Sequence, residues 1–271
     1  MRTILVFGYI CFLLLFGCNN VQNEPIRGDV DCSSECKPQE HTDLFCKSFD
    51  DDKTIVRELL LKKDYEKALE HLQEMEHRYP DRGTIAGTIL IKNYINLMLG
   101  KEQEVSKDWE YLIDLIPSPK LFWLASAFEM RMKNYRKAIE YLDKIELSEI
   151  ELTGQEYDRL LLSIHMAKAP ALLMIDEYEA GKKEYQMFLY VLKRLEDENI
   201  FAADLWAGYT DMMNKAIENP DEYVISIADQ PLPDPVPSDD EPGKVSLIIQ
   251  YHLELISKID GVVVATYTVK L

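Results

Sequence analysis

The segment at residues 64–72 has the same layout as the segment at residues 134–142. Each begins with an acid or an amide followed by a tyrosine, and each has an alanine three residues later and apolar residues at helical spacing. The two segments lie 70 residues apart, close to two units of a helical repeat of about 34 residues. Because one hairpin of helices cannot bury its own apolar face, this pattern predicts a stack of several hairpins.

Amphipathic helices are predicted over residues 53–217. From Thr54 onward, apolar residues recur at i, i+3, i+4 and i+7, and Gly and Pro are nearly absent from the interiors of the segments. Two weaker copies of the layout lie in the same region, one through Gly100 and one through Tyr178 and Gly181. Residues 200–217 predict a helix that covers the last hairpin.

This layout resembles the tetratricopeptide repeat, whose second helix opens with an acid or amide, an aromatic residue, two variable residues and an alanine. The resemblance implies a mostly α protein with an array of helical hairpins (an α-solenoid). The residue pattern near the C-terminus separately predicts a small β-hairpin or sheet. In such a hairpin, Ala68 and Ala138 would let two helices approach closely, while Tyr65 and Tyr135 would fill the wedge at the turn.

In tetratricopeptide proteins the concave face of the array commonly binds peptides. The resemblance therefore implies a partner-binding groove, and the matching positions in the two middle repeats are Tyr94, Trp123, Met130 and Arg131. Large aromatic and arginine side chains are typical anchors of protein interfaces. The expected partner is another protein or a peptide.

The N-terminus has the layout of a signal peptide, in which Arg2 is followed by an apolar run over residues 4–16. A membrane-spanning helix needs about 20 apolar residues, so a permanent transmembrane anchor is the weaker interpretation. The run ends at Leu15-Phe16-Gly17-Cys18, which resembles the lipobox of bacterial lipoproteins. Phe16 departs from the small or aliphatic residue that is usual in that family.

The lipobox resemblance implies removal of residues 1–17 and addition of lipid to Cys18, which would tether the protein to a membrane of the bacterial cell envelope. Asn19 is not the aspartate that often signals inner-membrane retention in that family, so the outer membrane is expected by analogy. An ordinary secreted protein cleaved near Gly17 is the alternative.

Residues 18–52 are acidic and lack helical periodicity, which predicts an extended spacer. The spacer contains an array that resembles a zinc knuckle, formed by Cys32, Cys36, His41 and Cys46. Its first spacing is one residue too long, and an exported chain favours a disulfide over bound metal. A disulfide, zinc and reduced thiols all stay open, and no other cofactor is predicted.

Residues 218–243 form a proline-rich acidic linker, and residues 244–271 are predicted to be β structure. Apolar and polar residues alternate from Val245, Asp260-Gly261 provides a turn, and a second β-branched run follows, with residues 223–228 as a third strand. A hairpin is marginal alone, so it must dock on the helices, join the third strand or pair edge to edge with a partner.

The sequence contains no glycine-rich phosphate loop, no nucleophile elbow and no His-Glu-x-x-His pair. The acid pairs Asp51-Asp52 and Asp239-Asp240 lie in polar segments, which predicts solvated carboxylates and no general acid. The formal charge of −18 repels phosphate, so nucleic acid is not an expected partner.

These features predict a lipid-tethered, noncatalytic adaptor that holds another envelope protein or peptide near the membrane. The alternative is a metal-binding or redox module in which Cys32, Cys36, His41 and Cys46 act and the helices only present them. The oligomeric state stays open.

Overall fold

The chain is mostly helical with a small antiparallel sheet near its C-terminus, which confirms the predicted fold class at this level. The computed structural model describes residues 38–145, 154–197, 206–238 and 245–270. The helices in these residues are α1 (Pro38–Leu61), α2 (Tyr65–Arg78), α3 (Arg82–Met98), α4 (Glu102–Leu115), α5 (Pro119–Arg131), α6 (Tyr135–Asp143), α7 (Gly154–Met174), α8 (Tyr178–Asp197) and α9 (Ala207–Glu218). The strands are β1 (Tyr223–Ile227), β2 (Val236–Pro237), β3 (Val245–Ser246), β4 (Gln250–Ser257) and β5 (Val263–Lys270).

The chain divides into two compact units, and neither is continuous in sequence. Unit 1 comprises residues 1–99 and 234–247, and unit 2 comprises residues 100–233 and 248–271. This division separates residue 99 from residue 100 inside the predicted helical domain, and residue 247 from residue 248 inside the predicted C-terminal β segment.

In unit 1, α2 packs against both α1 and α3. The three helices bury one apolar cluster, whose members are Val56, Leu60, Ala68, Leu72, Met75, Tyr79, Ile91 and Ile95. Strands β2 and β3 pair antiparallel, with Val236 opposite Ser246, and the adjacent Leu247 packs on the same cluster.

The prediction of an extended spacer is wrong for residues 38–52, because these residues belong to α1. Proline is favoured at the first position of a helix, where its missing N–H would have no partner in any case. Residues 49–52 at the end of this stretch include both an apolar and a polar side chain that pack within unit 1. Phe49 packs on the apolar cluster of unit 1, and Asp52 is only 4% exposed.

Three helical hairpins share one type of turn. Lys63, Lys133 and Asp176 have φ angles of 59°, 62° and 62°, in the left-handed region. In each turn, the N–H of this residue bonds to the carbonyl three residues earlier, and the next N–H bonds to the carbonyl five residues earlier. This is the Schellman motif, which ends a helix by satisfying its last carbonyls. Gly100, which follows α3 in sequence, has a φ of 69°.

The second helix of each of these three hairpins carries a small buried residue at its fourth position. The residues are Ala68, Ala138 and Gly181, and the N–H of each bonds to the carbonyl of the residue that precedes the helix. At Gly181, an added Cβ would lie 2.8 Å from Cδ2 of Leu173 and 3.1 Å from the carbonyl oxygen of Ala169. The backbones of α7 and α8 are therefore in close contact at this point.

Unit 2 contains a three-stranded antiparallel sheet with the order β1-β4-β5. The turn between β4 and β5 contains Asp260, whose Oδ1 accepts a hydrogen bond from the N–H of Val262, and Gly261, which has a φ of 70°. Alternate residues of β4 are buried, namely Tyr251, Leu253 and Leu255. The predicted hairpin, its turn and the third strand are thus confirmed. The alternation from Val245 does not form one strand, however, because Val245–Ser246 pairs with Val236–Pro237 and β4 begins at Gln250.

The helices of unit 2 form the support on which this sheet is docked. Helix α7 packs against α6 and α8, and α5 packs against α6. Aromatic side chains link α8 and α9 to the sheet, since the ring of Tyr209 lies 4.9 Å from that of Phe188 and 5.4 Å from that of Tyr267. Docking on the helices and pairing with the third strand therefore both occur.

Candidate binding surface

The sheet of unit 2 covers one face of α5, α7 and α9. Helix α5 contacts β4, α7 contacts β1, and α9 contacts both β1 and β5. The buried side of the sheet supplies Leu253 and Leu255, neither of which has exposed surface. This helical face, termed the sheet-covered face, is thus occupied by the chain itself.

Arg131, which the sequence predicts as a groove residue, holds the C-terminal part of its own chain. Its Nη1 donates a hydrogen bond to the carbonyl of Gln250 at 2.8 Å, and its Nη2 donates to the carbonyl of Gln230. Nearby, Lys133 Nζ lies 2.7 Å from a carboxylate oxygen of Asp229, and this hydrogen bond raises the pKa of Lys133. The end of α5 and the turn after it therefore bond both to the linker, at residues 229–230, and to β4.

The other predicted groove residues do not line an open groove. Tyr94 and Met130 have no exposed surface, so the prediction that they meet a partner is wrong. Trp123 is partly buried and packs on a cluster formed by Leu142, Ile145, Ile164 and Ala167. Tyr94 lies in unit 1, whereas the other three residues lie in unit 2. For Met130 and Arg131, the reason is that the chain's own sheet packs beside α5.

The lipidation and cysteine predictions fall largely outside the described residues. Cys18, Cys32 and Cys36 lie in the part of the chain that the structure does not describe. His41 and Cys46 lie in α1, but the description covers only the backbone of residues 38–47. In the part of the chain that the structure describes, no group of three or more His, Cys, Asp or Glu side chains is placed to hold a metal ion. Lipid at Cys18 and a disulfide or zinc in the array stay predictions.

Glu129 on α5 is an acid without exposed surface. Its Oε1 accepts a hydrogen bond from Oγ of Ser106 at 2.9 Å, and its Oε2 accepts one from Nδ2 of Asn134 at 2.8 Å. Lys137 Nζ lies 3.4 Å from Oε1. A buried carboxylate is tolerated when it is paired and hydrogen-bonded, so this cluster fastens α4, α5 and α6 together.

A second, partly buried cluster joins α6, α7 and α8. Glu184 lies 2.6 Å from Nδ1 of His165 and 3.2 Å from Nζ of Lys168, which itself lies 2.6 Å from Asp143. Burial acts to raise the pKa of Glu184, but the hydrogen bond to His165 and the charge of Lys168 outweigh it, and the pKa is lowered. Glu184 is therefore an ionised structural group at neutral pH.

In unit 1, Asp52 is buried, so the prediction of a solvated acid pair is wrong for this residue. Its Oδ1 lies 3.1 Å from Nε2 of His71, and its Oδ2 accepts hydrogen bonds from Arg78 at 2.6 Å and from the Tyr79 hydroxyl at 2.7 Å. The hydroxyl of Ser48 lies 2.9 Å from that of Tyr79. These bonds connect α1 to α2 and to the residue after it. The other acid pair, Asp239-Asp240, lies outside the described residues.

An open concavity of about 470 Å³ lies beside the N-terminus of α6 and is lined by Ser106, Ile175 and residues 133–137. Its cations are already paired with acids. Lys133 pairs with Asp229, Arg136 with Glu177, and Lys137 with both Glu110 and Glu129. The concavity therefore offers an anion little free positive charge.

The outer edge of β5 is the place where edge-to-edge pairing with a partner, the third alternative predicted from the sequence, would occur. In the described residues, no strand pairs with this edge. At its turn end, the aliphatic side chains of Ile259, Val262, Val263 and Val264 are 84%, 54%, 44% and 48% exposed. We term residues 259–269 the β5 edge. A run of three valines after an Asp-Gly turn is the sequence signal for it.

No family model, no curated protein and no solved structure matches this chain. None of the helices in the described ranges has both the length and the apolar character needed to cross a bilayer. The surfaces of the protein are therefore interpreted from their own geometry and chemistry.

Proposed function

We propose that the protein is a noncatalytic adaptor built from tetratricopeptide-like helical hairpins and tethered to a membrane by lipid on Cys18. The observation that carries this proposal is the turn shared by three hairpins, at Lys63, Lys133 and Asp176. In each case a small buried residue follows at the same position of the second helix. Repetition of one hairpin unit is typical of scaffolds that present surfaces to other proteins.

The tether is supported by the apolar run at residues 4–16 and by the lipobox-like residues 15–18 that follow it. Each buried methylene of an acyl chain contributes about 0.8 kcal/mol, so one chain binds reversibly and several chains hold the protein durably. The proposed location is the bacterial cell envelope, at the outer membrane, and the proposed partner is another envelope protein or a peptide.

A noncatalytic role is supported by the contacts of two buried acids, Asp52 and Glu129, and of the partly buried Glu184. Asp52, Glu129 and Glu184 each have carboxylate oxygens bonded to side chains on neighbouring segments of the same unit. A general acid requires a carboxyl group that is protonated near neutral pH, and the lowered pKa of Glu184 is the opposite of that requirement. These clusters act as fastenings between helices.

The tether is tested by producing the full chain in a bacterium and measuring the mass of its mature N-terminus. We expect the chain to begin at Cys18 with diacylglycerol attached and to sediment with the outer membrane. The Cys18→Ala variant, as the matched control, should lose both the lipid and the sedimentation. A soluble wild-type protein that retains residues 1–17 would contradict the proposal.

A further inference from the structure

We propose that the β5 edge is a docking site at which an extended, uncharged segment of another protein, flanked by basic residues, adds a fourth strand to the sheet. This inference deepens the proposed adaptor role and rests on it. It comes from the juxtaposition of a strand edge that no other described strand pairs with and four exposed aliphatic residues in one continuous stretch, residues 259–269.

The backbone of β5 determines what kind of partner fits. Among the residues that the structure describes, this strand, Val263–Lys270, pairs along one edge only, with β4. In an antiparallel pair, alternate residues direct their N–H and C=O groups to the opposite edge, where they need partners. An extended chain offers donors and acceptors at the same spacing, which is the basis of recognition by strand addition.

The β5 edge has only part of the usual protection of an exposed strand. Natural edge strands are blunted by charged side chains, proline or bulges. Residues 262–269 contain no charge and no proline, and the strand has one bulge near its turn end, where Leu255 lies opposite Ala265 but Ile256 lies opposite Val263, and one lysine at its last residue, Lys270. A strand added along β5 would bond to its backbone groups and would also shield the exposed valines. A lipid surface would cover the apolar residues at the turn end but would leave the backbone groups without partners.

The opposite edge of the sheet is less suited to the same role. Strand β1 is five residues long, whereas β5 has eight. The segment after β1 is held by Arg131 at Gln230 and by Lys133 at Asp229. Strand addition is therefore assigned to β5.

The net charge of the protein selects the partner. Residues 259–269 contain one acid, Asp260, and no base, Lys258 and Lys270 flank them, and Glu254 lies opposite Thr266 on the neighbouring strand. The whole chain carries a formal charge of −18. Basic residues beside the docked segment are attracted by this field, while a second copy of the chain is repelled.

The edge is held in place before a partner arrives. Val269 is buried, and the ring of Tyr267 packs on Tyr209 of α9 and lies 3.5 Å from the position of a Cβ at Gly208. A preformed edge lowers the entropic cost of docking, because only the incoming segment has to become ordered.

The probe for this site is a fluorescent peptide of sequence Lys-Lys-Thr-Val-Thr-Val-Thr-Val-Lys-Lys, titrated with the full chain purified in detergent. Its control is the same peptide with proline in place of the central valine, which removes an N–H donor. Two protein variants, Val264→Lys and Thr266→Lys, place a charge on the exposed side of β5. Val224→Lys on β1 is the matched control, since it adds the same charge at an exposed position of the other edge strand.

We expect the valine peptide to bind and the proline peptide not to bind. Either lysine substitution on β5, in a variant whose circular dichroism matches the wild type, should weaken binding about tenfold or more, because edge charges oppose strand addition. Val224→Lys should retain the affinity. Absence of peptide binding, equal affinity for the β5 variants, or a dimer of the chain that Val264→Lys dissolves would overturn the inference. None of these results depends on lipidation, so the mass of the N-terminus separates failure of this inference from failure of the proposed tether.

Discussion

The guanidinium group of Arg131 donates a hydrogen bond of 2.8 Å to the backbone carbonyl of Gln250, although the two residues are 119 positions apart in sequence. This bond joins the end of α5 to the start of β4 inside unit 2. Strands β1, β4 and β5 are therefore part of the same folded body as the helices of unit 2, and they cover one face of α5, α7 and α9.

Replacing Arg131 by alanine removes the donors to Gln250 and Gln230. Because hydrogen bonds to charged groups are worth about 1.5–3 kcal/mol, we expect Arg131→Ala to lower the free energy of unfolding by about 2 kcal/mol in urea titrations. Arg136→Ala is the control, since its ion pair with Glu177 is 3.6 Å long and exposed and should contribute under about 0.5 kcal/mol. Equal effects of the two substitutions would show that Arg131 does not hold the sheet.

Gly181→Ala tests the close approach of α7 and α8. The new methyl group would meet Leu173 at 2.8 Å, so we expect a loss of about 1–2 kcal/mol in the free energy of unfolding, from overpacking partly offset by better helix propensity. Gly208→Ala is the control, because its Cβ would lie 3.5 Å from Tyr267, an ordinary contact. A neutral Gly181→Ala would mean that the helices are farther apart than described.

The left-handed conformation at Asp176 predicts a stabilising substitution. In the left-handed region, a residue with a side chain is about 1–2 kcal/mol less stable than in the right-handed helical region, whereas glycine has no such penalty. Asp176→Gly should therefore raise the free energy of unfolding by up to about 1 kcal/mol. Asp176→Ala removes the same carboxylate but keeps the Cβ, and it should not stabilise the protein. If alanine stabilised as much as glycine, the cause would be the charge and not the turn.

Some of these features could be predicted from sequence because they depend on neighbouring residues. The turn at Asp260-Gly261 and the alternation of Tyr251 and Leu253 with polar residues are local signals, and both correspond to the observed hairpin. The docking of β4 on α5 could not be predicted in this way, since it depends on contacts between residues far apart in sequence.

The burial of polar groups could not be predicted from the periodicity of apolar residues either. Asp52 and Glu129 are buried because partners on adjacent helices compensate their charge, and a pattern of apolar residues does not register such pairs. For the same reason, apolar periodicity does not predict that α1 begins at Pro38. The polar residues Ser48 and Asp52 of this helix form side-chain contacts that an apolar pattern cannot show.

Buried tyrosines predict a loss of stability at alkaline pH. Burial raises the pKa of Tyr185 and of Tyr267 from 10.0 to about 12. The folded state therefore retains protons that the unfolded chain releases, so this contribution is complete below pH 10 and is lost as the pH rises toward about 12. Urea midpoints measured across this range should fall, and they should fall less steeply in Tyr185→Phe and Tyr267→Phe. The exposed Tyr111, changed to phenylalanine, should keep the wild-type slope.

The sheet of unit 2 covers the face of α5, α7 and α9, and for this reason the proposed docking site is the β5 edge. Hydrogen exchange of the full chain measures this directly, because amides in one cooperative unit become accessible through the same opening. We predict that the amides of β4, Gln250–Ser257, exchange as slowly as those of α5. Exchange of the β4 amides many times faster than those of α5, at rates typical of an isolated hairpin, would contradict this arrangement. The helical face would then be available to a partner.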